Sequence, residues 1–182
     1  PFYEWFTDAS VNACYNAVDR HVENGRGDQT AIIYDSPITN SKRKISFAEL
    51  QQNVASLAGT LRATGIEKGD RVIIYMPMVP EALEAMLACA RLGAIHSVVF
   101  GGFAAHELAV RIDDATPKAI IAGSCGIEPG RVVKYKPLVD SAIEQSKHKP
   151  DFVVILQREQ APADLIAGRD LDWHDFQNGT TP

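Results

Sequence analysis

GDRVIIYMPMVPEALEAMLACARLGAIHSVVFGGF, residues 69–103, is the stretch on which the fold turns. Arg71–Met76 is an almost continuous apolar run with a β-branched bias, as expected of a parallel strand covered on both faces. Pro80 suits the first position of a helix, where a missing N–H removes no bond. Leu83, Met86, Leu87 and Ala90 then recur at helical spacing, and Gly93 stands where a C-terminal cap belongs. Residues 94–100, AIHSVVF, read as the next strand. A strand–helix–strand unit of this kind builds a mainly parallel sheet.

The same alternation continues on both sides. Downstream, a helix after Gly101-Gly102 carries Leu108 and Ile112 inward, KAIIAG (118–123) reads as a buried strand, a helix from Pro137 carries Val139 and Ile143, and DFVVIL (151–156) is a further strand. Upstream, Val11, Cys14, Tyr15, Val18 and Val22 mark a helix over 9–24, with Gly25 at its end. TAIIYDS (30–36) and RKIS (43–46) predict two strands joined through Pro37 and Asn40. Phe47, Leu50, Val54, Leu57 and Leu61 form one helical stripe, opened by a Ser46/Glu49 capping box and closed at Gly65. The expected fold is α/β, with three layers and a mainly parallel sheet that carries helices on both faces. Its strands include 71–76, 94–100, 118–122 and 152–156. Residues 1–156 read as one α/β subdomain. Residues 157–182, rich in Pro, Gly, Asp and Asn, read as an irregular tail.

At 182 residues and 46% hydrophobic, the chain is long enough to bury about 70% of its unfolded surface without staples. Cys14, Cys89 and Cys125 lie far apart, which suits a reducing compartment and argues against a disulfide framework or a zinc site. A net charge of −5 disfavours non-specific nucleic-acid binding, and no apolar stretch approaches a membrane span.

Candidate chemistry gathers after two strands. Gly101 and Gly102 follow one strand, at the start of a helix whose free N–H groups favour anions. GSCGIEPGR (123–131) follows the next and ends at Arg131, with Lys134 and Lys136 behind it. Ligands of parallel sheets lie outside the carboxyl ends of the strands, so the two segments could converge on a phosphate. Glycine turns also follow strands for purely structural reasons, and the residues alone leave both readings open. There is no G-x-x-x-x-G-K-[ST] and no G-x-G-x-x-G. Asp19-Arg20-His21 and Asp113-Asp114 have suggestive letters, but helix neighbours one and two apart do not face each other. His96, inside an apolar strand, reads as a hydrogen-bonded core residue. GTTP (179–182) has no lysine and no preceding strand.

WF…NACYNAVDRH (5–21), the 69–103 run and GIEPGR (126–131) together resemble an AMP-forming short-chain acyl-CoA synthetase, most like the propionyl-CoA synthetase branch. The resemblance covers residues 5 to about 156, and extends weakly to Asp172–Trp173. It implies that ATP activates a short-chain carboxylate, propionate or acetate, as an acyl-adenylate with release of pyrophosphate. The thiol of coenzyme A then displaces AMP, and Mg²⁺ neutralises phosphate charge. It implies that Gly102 lies against coenzyme A and that Glu128, Pro129, Gly130 and Arg131 approach its 3′-phosphate-ADP portion. Glu128 stands where the acetyl branch usually carries an arginine.

The ATP loop, the acyl pocket, the metal site and the catalytic lysine are expected outside residues 1–182. The chain would then contribute coenzyme A contacts and no catalysis by itself, in the cytoplasm or the mitochondrial matrix. A non-catalytic coenzyme A- or nucleotide-binding α/β module is the alternative, and a bare structural scaffold a third reading.

Overall fold

The computed structural model describes residues 2–5 and 7–178; the GTTP segment lies outside the described residues. A π-helical turn, Tyr15–Asp19, and a second wide-turn segment, Val22–Arg26, which breaks at Gly25 (φ +75°) where the helix end was expected, occupy the region of the first expected helix. Only Cys14 and Val18 of its supposed stripe are buried; Val11 and Tyr15 are exposed. The wider turns rotate the side chains away from a regular 3.6-residue face.

A hairpin follows, β1 (Thr30–Ser36) antiparallel to β2 (Ser41–Ser46). Helix α1 (Phe47–Ala63) begins at Ser46, whose side chain accepts from the Glu49 N–H at 3.1 Å, one half of the expected capping box.

The central unit comprises β3 (Arg71–Tyr75), α2 (Pro80–Leu92), β4 (Ile95–Val98), α3 (Ala105–Ala115) and β5 (Ala119–Gly123). Beyond it come β6 (Cys125–Glu128), β7 (Arg131–Lys134), α4 (Tyr135–Gln145), β8 (Phe152–Leu156), β9 (Asp170–Asp172) and α5 (Trp173–Gln177). Five strands make one parallel sheet in the order β4-β3-β5-β8-β9. The four expected strands therefore share a sheet.

Side-chain alternation divides this sheet into two cores. Val72, Ile74, Ala119, Ile121, Phe152 and Val154 pack with α1, α2 and α5, while Ile73, Tyr75, Ile120, Ala122, Val153 and Ile155 pack with α3 and α4. These are the three expected layers.

Three readings of the sequence need correction. Helix α2 buries Glu84, Ala85, Ala88 and Cys89 and leaves Leu83 exposed, because small residues let it pack closely on the sheet and α1. Strand β4 is an edge, so His96 is exposed rather than a core residue. The stretch from residue 157, read as irregular, contributes β9 to the sheet and α5 to the core, where Trp173 and Phe176 are buried. Strand β9 is held by charge. Asp170 is buried against Lys136 Nζ (2.9 Å) and Arg169 Nε (2.6 Å), and both cations also pair with Asp140.

Candidate functional site

At the carboxyl ends of β3, β4 and β5, the Gly101–Phe103 turn meets the β6–β7 hairpin. Helix α3 starts only at Ala105, so the two glycines precede it by a turn rather than forming its first residues. Each glycine has its own cause. A Cβ on Gly101 would stand 2.6 Å from the Tyr135 hydroxyl oxygen, so the ring of Tyr135 excludes any side chain there. Gly102 has φ +94°, a left-handed conformation that side-chain-bearing residues rarely adopt.

Tyr75 holds this turn from beneath. Its hydroxyl donates to the Phe103 carbonyl at 2.7 Å and accepts from the Gly102 N–H at 3.1 Å. Burial pushes the Tyr75 hydroxyl up to about 12, so it stays protonated as that donation requires. Tyr75 and Tyr135 rings pack with centroids 5.0 Å apart. Neither tyrosine's role was legible in the sequence. Their long-range partners carry no local motif, although an aromatic ending the apolar run of β3 was the available clue.

The second segment is a hairpin and not a loose glycine loop. Glu128 pairs with Arg131 across Pro129-Gly130, with Gly130 at φ +79°, the residue order of a type II turn. The Arg131 guanidinium meets Glu128 Oε2 at 2.7 Å. A Cβ on Gly102 would lie 3.5 Å from Glu128 Oε1, so the two expected contact segments do converge. Lys136 does not join them, being committed to Asp140 and Asp170. Lys134 is exposed.

Between the β1–β2 hairpin, the β3–α2 loop and these turns lies a cavity of about 330 Å³, lined by Met76, Val79, Phe100, Glu128, Tyr135 and Arg158 among others. Its walls are largely apolar, with a few converging polar groups, the usual make-up of a small-molecule site.

Other candidates are structurally spent. Asp19 accepts from Arg91 and Gln51, His21 Nδ1 lies 3.1 Å from Arg26, and Asp113 accepts the Lys147 and His148 backbone N–H groups. The three cysteines are free and buried. Among the described residues no group of three or more His, Cys, Asp or Glu could hold a metal ion. No helix among them is long and apolar enough to cross a membrane.

Residues 18–178 match the family model described as AMP-binding enzyme. The chain belongs to this family. It is 62% identical over 180 residues to an uncharacterized protein of Pseudomonas aeruginosa, covering 99% of this chain and 29% of that protein. It is 54% identical over 178 residues to the mitochondrial acyl-CoA synthetase short-chain family member 3 of Rattus norvegicus, covering 96% and 26%. It is 44% identical over 173 residues to the propionate–CoA ligase of Escherichia coli, covering 95% and 27%. The chain thus spans less than a third of the length of these relatives. The family match runs through residue 156 without a break, in keeping with the place of β9 in the sheet and of α5 in the core beneath it.

Proposed function

We propose that this chain is the coenzyme A-contacting part of an AMP-forming ligase that joins propionate or acetate to coenzyme A at the expense of ATP. Two of its named relatives are a short-chain acyl-CoA synthetase and a propionate–CoA ligase. The observation that carries the reading is the adjacency of Gly102 to the Glu128–Arg131 pair. In the proposed reaction the carboxylate attacks the α-phosphorus of ATP and pyrophosphate leaves; the thiol of coenzyme A then attacks the acyl carbon and AMP leaves.

The chain's own share in this reaction is binding and orientation. Gly102 presents bare backbone, so an extended ligand can lie along the turn at van der Waals distance, while Tyr75 fixes the turn's shape. Arg131 offers a guanidinium to a phosphate. Its bond to Glu128 is a weak competitor, because the two side chains are 71% and 40% exposed and such surface pairs contribute only about 0–1 kcal/mol. A phosphate dianion can therefore share or capture the guanidinium. The reducing setting that suits three free thiols is the cytoplasm or the mitochondrial matrix.

A longer polypeptide carrying this chain should release pyrophosphate from ATP only with propionate or acetate, and form thioester only with coenzyme A. Residues 1–182 alone should release no pyrophosphate above a no-protein control. Turnover that copurifies with residues 1–182 would refute the division of labour proposed here.

A further inference from the structure

The Glu128–Arg131 pair largely cancels its own charge, and Arg131 is not among the residues lining the adjacent cavity, so a cation that could meet an anion there has to stand elsewhere. Among the described residues lining that cavity, Arg158 is the one lysine or arginine. It stands two residues beyond β8, at the carboxyl end of the parallel sheet, and is partly buried. Two bonds anchor it there. Its backbone N–H donates to Ser124 Oγ at 2.9 Å, and its Nη1 donates to the Cys125 carbonyl at 3.1 Å.

That carbonyl takes one of five guanidinium N–H donors, and no carboxylate among the described residues forms an ion pair with Arg158. A partly desolvated cation that forms no ion pair gains from an incoming anion. Met76, Met78, Val79, Phe100 and Ile127 give the cavity apolar walls, which strengthen an ionic contact made inside it. Arg158 also lines a neighbouring groove of about 390 Å³ that shares Tyr34, Thr39 and Val79 with the cavity. A ligand held at the guanidinium can extend in either direction.

We propose that Arg158 binds one oxyanion group, a carboxylate or a phosphate, of a small ligand whose apolar part lies against Met76–Val79 and Phe100. The guanidinium fork matches both oxyanions in bidentate fashion. The proposed function bears on which natural ligand this is; the subsite itself stands on the unpaired guanidinium and the cavity.

The test uses residues 1–182 with ¹⁵N-labelled arginine, titrated separately with propionate and with inorganic phosphate while the Arg158 Nε–H resonance is followed. One probe should move it saturably, and which one responds distinguishes carboxylate from phosphate. Arg158→Gln should weaken that binding about tenfold or more, the range for a bond to a charged group. Arg158→Lys, which keeps the charge and loses the fork, should fall between. No saturable shift with either probe overturns the proposal, as does unchanged affinity in Arg158→Gln. Should Arg158→Gln fail to fold, Arg158→Lys decides: wild-type affinity overturns the proposal and weaker binding supports it. Coenzyme A is titrated in parallel. If a simple oxyanion binds and coenzyme A does not, the subsite stands and the coenzyme A reading fails; the reverse result rejects the subsite alone.

Discussion

The two faces of the parallel sheet are buried alike, yet they serve different ends. On one, Val72, Ile74 and Ile121 disappear beneath α1, α2 and α5, in packing that is mainly apolar. On the other, the alternating positions of the same strands lead to Tyr75 and Tyr135, whose hydroxyls reach the Gly101–Phe103 turn. A single residue step along β3 thus separates scaffold from site. The comparison teaches that equal burial does not mean equal consequence.

This contrast can be broken by mutation. Ile121→Ala, on the scaffold face, should show the largest stability effect, about 2–5 kcal/mol for a truncated core aliphatic in denaturant unfolding. The folded fraction should still bind coenzyme A with unchanged affinity. Tyr75→Phe, on the site face, removes the hydroxyl that serves both the Gly102 N–H and the Phe103 carbonyl. It should cost about 1–3 kcal/mol and, unlike Ile121→Ala, also weaken coenzyme A binding. If both variants changed affinity equally, the division between the faces would be wrong.

The smallest effect sharpens the contrast through pH. Glu84 on α2 is buried on the scaffold side, with Asn53 Nδ2 at 2.9 Å from its Oε1. Burial raises its pKa, against the lowering effect of the Asn53 bond. A carboxyl raised in the folded state is ionised more readily in the unfolded chain. Its contribution is therefore most favourable below the unfolded value, declines as pH rises toward the folded value, and is level above it. Glu84→Gln should remove this decline, so that its stability advantage over wild type grows across that window. Parallel stability–pH curves for the two proteins would contradict the assignment.

Strands β3, β5 and β8 were legible because each is a continuous apolar run, and the burial of every residue from Val72 to Tyr75 follows from that pattern. Strand β9 was not, because Asp170-Leu171-Asp172 is short and polar and depends on Lys136 and Arg169, whose partnership no local period announces. His96 was misread because the order of strands, which puts β4 at the edge, is a long-range property. At the site, Gly102 and the Glu128–Arg131 segment were visible as motifs. Gly101 was visible only as a glycine, since its cause is the ring of Tyr135 from a distant helix. Arg158 carried no motif at all.

The central claim is that Gly102 and the Glu128–Arg131 hairpin form one coenzyme A contact surface. Calorimetric titration of coenzyme A and dephospho-coenzyme A against wild type, Gly102→Leu and Arg131→Ala tests it most directly. Gly102→Leu should weaken both ligands strongly, because the side chain would fill the ligand's path on a backbone with positive φ. Arg131→Ala should cost coenzyme A about 1.5–3 kcal/mol, with a smaller loss for dephospho-coenzyme A, if the guanidinium meets the 3′-phosphate. Equal losses for the two ligands in Arg131→Ala, together with unaltered binding in Gly102→Leu, would contradict the account.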